Sequence, residues 1–183
     1  PQGILGKVLD GPVSAGNYVW WKVQYGRALY SGWSIEDALV KVLPVNGIDV
    51  SDYQGDIDWS EVYKAGYEFA FVRGTRGDQR PPQLIDPNFY TNMDEADAAG
   101  MLVGPYHYAY PQYNKAIDEA LFFLDKAGKY VKQGYLRPVL DVEEGCELGK
   151  DSLSNWVHDW MNTVKRNTGV DPILHTYSAF TAC

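Results

Sequence analysis

The chain has 183 residues, 45% hydrophobic and 22% charged, with a net charge of −8 and a pI near 4.8. That length holds one medium domain, or a small domain plus part of a larger one. The acidic balance speaks against a nucleic-acid partner, which calls for a basic patch. No run of 18 apolar residues is present to span a bilayer, so no membrane association is expected either.

The opening Pro1-Gln2-Gly3 has neither a positively charged nor an apolar run, so no signal peptide is read there. Without an initiator Met, the chain is expected to begin inside a longer protein. Residues 7–42 read as short strands and turns. Lys7-Val8-Leu9 leads to a turn at Asp10-Gly11-Pro12. The β-formers Tyr18–Tyr25 follow, closed by Gly26, and Gly32-Trp33-Ser34 precedes Ile35–Leu39. This pattern predicts a small β-barrel as a first domain, residues 1–44, whose core is marginal alone.

After Pro44 strands and helices alternate. Val45–Val50 reads as a strand, and Asp58 or Ser60 caps a short helix ending at Gly66. Glu68–Arg73 is a second strand, a helix spans about 88–99, and Met101–Tyr108 is a third strand. Ile117, Ala120, Leu121, Leu124 and Ala127 mark the apolar face of a helix from 116 to 132. Pro138–Glu143 forms a fourth strand. Ser152 or Ser154 caps a helix carrying Trp156, Trp160 and Val164, which Gly169 stops. Pro172–Tyr177 is a fifth strand, and Ser178 is placed to cap a further helix. This alternation predicts an α/β domain over 45–183, built on a parallel sheet that is either open or a (β/α) barrel. The absence of GxGxxG and P-loop motifs disfavours nucleotide folds. A complete barrel needs roughly 200 residues or more, so a barrel here would lack its last strands.

Sites in such folds form at the carboxyl ends of the strands. Three acids fall there: Asp49, Asp141 and Glu143. Asp141 and Glu143 are two apart on one predicted strand, so they share a face roughly 6.5 Å apart. Paired carboxylates at about that spacing suit glycosidic chemistry. The apolar residues before them, Pro138-Val139-Leu140, would desolvate the pair and raise a pKa, as a general acid requires. A plain acidic strand end that caps the next turn stays open. Aromatic residues make up 14% of the chain, with 14 Tyr and 6 Trp, which suits either a Tyr-rich core or stacking on sugar faces. Tyr106, Tyr108 and Tyr110 share one face at the end of the third strand. His107, on the opposite face, reads as a structural histidine, His158 as solvated and His175 as ambiguous. Arg73 and Arg76 bracket Gly74-Thr75 and suit either a site carboxylate, a substrate carboxylate or a surface ion pair. No His/Asp/Glu spacing resembles a metal site. Cys146 and Cys183 make neither a disulfide framework nor a zinc grouping, and their pairing is left open.

Gly47-Ile48-Asp49-Val50-Ser51, followed by Gln54-Gly55-Asp56-Ile57-Asp58-Trp59, resembles the opening of family 25 of the glycoside hydrolases, the lysozymes that cut N-acetylmuramic acid linkages. Phe69–Arg73, Asp86–Phe89, Ala99–Tyr108 and Leu140–Glu143 resemble the same family in the same order, over about residues 46–180. The resemblance implies a TIM-type barrel, C-terminally incomplete in this chain. It implies hydrolysis of the β-1,4 bond between N-acetylmuramic acid and N-acetylglucosamine in peptidoglycan. Glu143 would be the general acid/base. Asp141 would be the nucleophile, or would steer the substrate's N-acetyl oxygen, and Asp49 would support the pair. Tyr106, Tyr108 and Arg73 would contact substrate, with no cofactor and no metal. A monomer acting on peptidoglycan strands outside the cell or in the wall is expected, secreted or released at lysis. Two positions depart from the family pattern: Arg76 replaces an acid, and His175 replaces a tyrosine. Residues 6–43 resemble a bacterial SH3-like domain through Val8–Pro12, Trp20–Val23 and Gly32–Ser34, which implies wall binding. The competing readings are a non-catalytic peptidoglycan-binding protein and a chitinase-like glycosidase.

Overall fold

The computed structural model describes residues 6–25, 30–39, 45–77, 85–178 and 180. They fall into two compact units, within 1–44 and within 45–183. In the first, β1 (Gly6–Ala15), β2 (Tyr18–Tyr25) and β3 (Tyr30–Ile35) form an antiparallel sheet in that order, followed by a 3₁₀ turn at Glu36–Ala38. The turn expected at Asp10-Gly11-Pro12 is not one. These residues lie inside β1, where the register with β2 shifts between Val8 and Asp10 and again between Asp10 and Val13. Turn-type residues serve a bulge here. Gly11 has φ +116, and a Cβ on it would sit 2.9 Å from the Trp20 carbonyl oxygen. The reversal comes instead at Gly16-Asn17. The turn placed at Gly26 lies outside the described residues.

The second unit is a curled, five-stranded parallel sheet in simple sequential order. Its strands are β4 (Asn46–Val50), β5 (Tyr67–Arg76), β6 (Leu102–Tyr108), β7 (Val139–Asp141) and β8 (Ile173–His175). Four helices alternate with them: α1 (Trp59–Lys64), α2 (Phe89–Ala98), α3 (Ala116–Ala127) and α4 (Lys150–Thr168). Helix α1 starts where Asp58 accepts the Glu61 amide at 3.1 Å, and its chain turns at Gly66 with φ +91. Helix α4 begins at Gly149, not at Ser152 or Ser154, which lie inside it. Gly149 bonds neither end with a side chain, so the cap left no signature in the sequence. The helix expected after Ser178 falls partly outside the described residues.

The core lies between the sheet and its helices. Val50, Ala70, Val72, Val103 and Leu140 project from the strands onto Phe89, Met93, Phe123, Trp160 and Val164. Each large side chain buried there contributes roughly 1.5–3 kcal/mol. The apolar face of α3 is rotated from the expected one. Ala116, Glu119, Ala120, Phe123 and Ala127 are buried, while Ile117 and Leu121 are 47% and 48% exposed. The helix is also shorter than expected, passing into a 3₁₀ turn at Gly128–Tyr130. The signal misled because the buried stripe contains an acid, Glu119, and three alanines, which carry little hydrophobic weight.

Candidate active site

Strand pairing places the predicted residues on one face at one end. Across β6, β7 and β8, Tyr108 pairs with Asp141 and Asp141 with His175. Across β5 and β6, Arg73 pairs with Tyr106, and across β4 and β5, Asp49 pairs with Phe71. Paired residues in a parallel ladder point the same way, and side chains two apart along a strand share a face. Asp49, Arg73, Tyr106, Tyr108, Asp141 and His175 therefore line the side opposite the helices, at the carboxyl ends.

Glu143 does not sit on the strand as expected. Strand β7 ends at Asp141, and the chain leaves it before Glu143. The two acids nonetheless meet. One oxygen each of Asp141 and Glu143, and a ring nitrogen of His175, all lie within 4.8 Å of one another. No spacing in the sequence announced this group, because His175 joins it through strand register and not through local sequence. His175 Nδ1 meets Asp141 Oδ1 at 2.9 Å; the side chains are 59% and 13% exposed. Burial raises the Asp141 pKa, against the opposing hydrogen bond from His175. Burial raises the Glu143 pKa too, and the nearby Asp141 charge pushes it further the same way. Asp49, exposed at the end of β4, adds to both shifts through its charge. The arrangement sets two carboxyl groups with raised pKa values side by side, as general acid–base chemistry uses.

The aromatic residues expected to contact substrate flank the pair. Tyr106 is 9% exposed, and burial raises its pKa, opposed by Arg73. Tyr108 is half-buried, with its pKa raised by burial and then by Glu144 and Glu143. Its hydroxyl donates to Glu144 Oε1 at 3.4 Å, and Gln112 donates to Glu144 Oε2 at 2.5 Å. Tyr110 meets Tyr108 edge-on, with ring centroids 5.5 Å apart. Arg73 is 8% exposed and committed within the protein. Its Nε donates to Asp86 Oδ2 at 3.0 Å and its Nη2 to Asp52. Its guanidinium carbon also lies 5.4 Å from the centre of the Tyr53 ring. Asp86 is buried and also accepts the Asp52 and Asn88 amides, at 2.8 and 3.0 Å. Of the alternatives open for Arg73, an ion pair to site-side carboxylates is the one present, and it ties the loop after β4 to β5.

The other face of β6 carries His107, fully buried as a structural histidine would be. The register between β5 and β6 shifts between Arg73 and Thr75. The extra residue reverses the alternation, so Arg73 faces the site while Thr75 faces the helices with His107. His107 bonds Thr75 Oγ1 through Nδ1 at 2.8 Å and Glu119 Oε2 through Nε2 at 2.7 Å, and stacks on Trp160. His158 is exposed on α4. Cys146 is disulfide-bonded; Cys183 lies outside the described residues.

Comparison with known proteins fits this geometry. Residues 48–183 match the model of Glycosyl hydrolases family 25. Protein YegX of Escherichia coli strain K12 is 35% identical over 74% of this chain and 49% of its own length. Lysozyme M1 of Streptomyces globisporus is 31% identical over 74% of this chain and 47% of its own. The crystal structure of the bacterial lysozyme from Streptomyces coelicolor superposes with a TM-score of 0.66 at 31% identity, over 74% of this chain and 64% of that one. The chain thus spans about half the length of the curated relatives it matches. With residues 48–183 matched in this way, the chain belongs to family 25 of the glycosyl hydrolases.

Proposed function

We propose that this chain carries the catalytic pair of a muramidase, which hydrolyses the β-1,4 bond between N-acetylmuramic acid and N-acetylglucosamine in peptidoglycan. The observation that carries the reading is the convergence of Asp141 and Glu143 within 4.8 Å at the carboxyl end of β7. Its relatives support the substrate: one is named a lysozyme and another, from Chalaropsis sp, an N,O-diacetylmuramidase. Glu143, its pKa raised by burial and by the neighbouring Asp141 charge, protonates the leaving oxygen and later activates water. Asp141 attacks the anomeric carbon or orients the substrate's N-acetyl oxygen to do so. Carboxyls this close leave little room for a water between them, which favours retention over inversion. Asp49 supports the pair electrostatically, and His175 holds Asp141. Tyr106 and Tyr108 offer apolar ring area to the sugar, and Arg73 fixes the loop carrying Asp52.

The five strands correspond to part of a TIM-type barrel. The first unit, within residues 1–44, is read as an SH3-like module that holds the enzyme on the wall. Exposed Tyr18 and Trp33 supply its contact surface. No helix among the described residues is long and apolar enough to cross a membrane. Action at the cell wall, by a monomer, completes the reading. To test it, purified peptidoglycan is digested with the parent chain and with Glu143→Gln, and the reduced products are identified by mass spectrometry. Reduced muramic acid ends from the parent and none from the variant are expected. Binding to peptidoglycan without new ends from the parent would refute catalysis by this chain and favour a wall-binding protein.

A further inference from the structure

We propose that Asp141, Glu143 and His175 together form a binding site for a divalent transition-metal cation of the zinc type, whose occupancy blocks the carboxyl pair. The argument is geometric and chemical. The three ligand atoms come from two adjacent strand ends, with His175 Nδ1 and Asp141 Oδ1 at 2.9 Å and all three within 4.8 Å. A tetrahedral zinc ion with bonds of about 2.0–2.1 Å places its ligands about 3.3 Å apart, inside that range. The His175 side chain is 59% exposed, so a cation reaches its ring from solvent and takes the place of the hydrogen bond to Asp141. Two carboxylates facing each other repel, and a dication between them turns that repulsion into attraction. The imidazole sets the preference: nitrogen with carboxylate oxygens suits zinc, copper or nickel, whereas calcium and magnesium favour all-oxygen shells. Tyrosine, the residue the family pattern has at this place, is protonated at neutral pH and a poor ligand. The metal site is therefore a property of this chain's histidine.

Binding stands on this cluster alone, and only the inhibition rests on the muramidase reading. The test is calorimetric titration of the chelator-treated 183-residue chain with ZnCl2 at neutral pH, beside His175→Ala, His175→Tyr and Asp141→Asn. Circular dichroism confirms that each variant is folded. One zinc ion per parent chain is expected, with affinity at least about tenfold weaker in every variant, and no binding of CaCl2 at equal concentration. No zinc binding by the parent, or equal binding by the histidine variants, overturns the proposal. Peptidoglycan hydrolysis is then followed with and without ZnCl2. The ratio of the two rates should fall for the parent and stay near one for His175→Tyr. An active parent insensitive to bound zinc overturns the blocking role. A chain that binds zinc through His175 yet never cuts peptidoglycan keeps the metal site and sinks the muramidase reading instead.

Discussion

Glu119 is fully buried on α3, yet it is the acceptor for an entire network. Its Oε2 receives His107 Nε2 at 2.7 Å, and its Oε1 receives Asn114 Nδ2 at 2.7 Å. The Tyr110 amide donates to both oxygens, at 3.2 and 3.3 Å. Replacing Glu119 by Ala strands three donors in the interior. Each buried donor left unpaired costs about 1–3 kcal/mol, so the three together cost about 3–5 kcal/mol, toward the low end of their sum. For a domain of this size that is a fall in melting temperature of roughly 6–20 °C. Glu119→Gln behaves differently. Its amide oxygen can take the place of Oε1 for Asn114 and Tyr110, while its NH2 faces His107 Nε2. A neutral His107 can accept there by carrying its proton on Nδ1, which donates to Thr75 Oγ1 at 2.8 Å; the hydroxyl simply turns over. The cost drops to the loss of charge assistance, about 1–2 kcal/mol. Thermal unfolding followed by circular dichroism, with urea midpoints alongside, reads both. Equal losses for Ala and Gln, or a loss below about 1 kcal/mol for Ala, would refute the network reasoning.

Other perturbations test the site and the sheet. Glu143 has a raised pKa in the fold, so the folded protein binds more protons than the unfolded chain between the ordinary carboxylate pKa and the raised one. Stability contributed by this group therefore declines as pH rises through that window. Glu143→Gln should match or exceed the parent's melting temperature at pH 7, with the difference vanishing at acid pH, and a variant less stable at pH 7 contradicts the assignment. His175 opposes the raised pKa of Glu143, so in metal-free buffer His175→Ala should move the alkaline limb of the activity profile to higher pH; a downward move rules this out. Retention predicts that the first product seen by NMR is the β-anomer, whereas an α-anomer would require a water between the carboxyls. A Cβ on Gly104 would lie 2.7 Å from Leu136 Cβ and 3.1 Å from its carbonyl oxygen. Leu136 is pinned by its own amide bond to Val103 O at 2.8 Å. Gly104→Ala should therefore cost about 1–3 kcal/mol in a urea melt, and an unchanged midpoint would show that Leu136 can yield.

The alternation of strands and helices after Pro44, and the sharing of one strand face by Tyr106 and Tyr108, were readable because each depends on local periodicity. Period two along a strand decides which side chains share a side, and Gly66, Gly100 and Gly169 mark the helix ends. The features that escaped depend on pairing across the chain. His175 becomes a partner of Asp141 only through the β7–β8 register, which brings residue 175 opposite residue 141. The ion pairs of Arg73 were not legible either, because Asp52 and Asp86 lie 21 and 13 positions from it in the sequence and meet it only through the fold. The Asp10-Gly11-Pro12 segment carries the residues of a turn, and only the shifted register of β1 against β2 turns it into a bulge.

The same distinction bears on how the carboxyl pair meets. Two strand steps span roughly 6.5 Å of backbone, which as a carboxyl separation would sit at the short end of the inverting range. Strand β7 stops at Asp141, the Val142 amide still bonds the His175 carbonyl at 3.0 Å, and beyond it Glu143 brings a carboxyl oxygen within 4.8 Å of one on Asp141. The short strand is thus part of the chemistry. It leaves Glu143 with a pKa raised by burial and then by the Asp141 charge, an effect that His175 partly offsets.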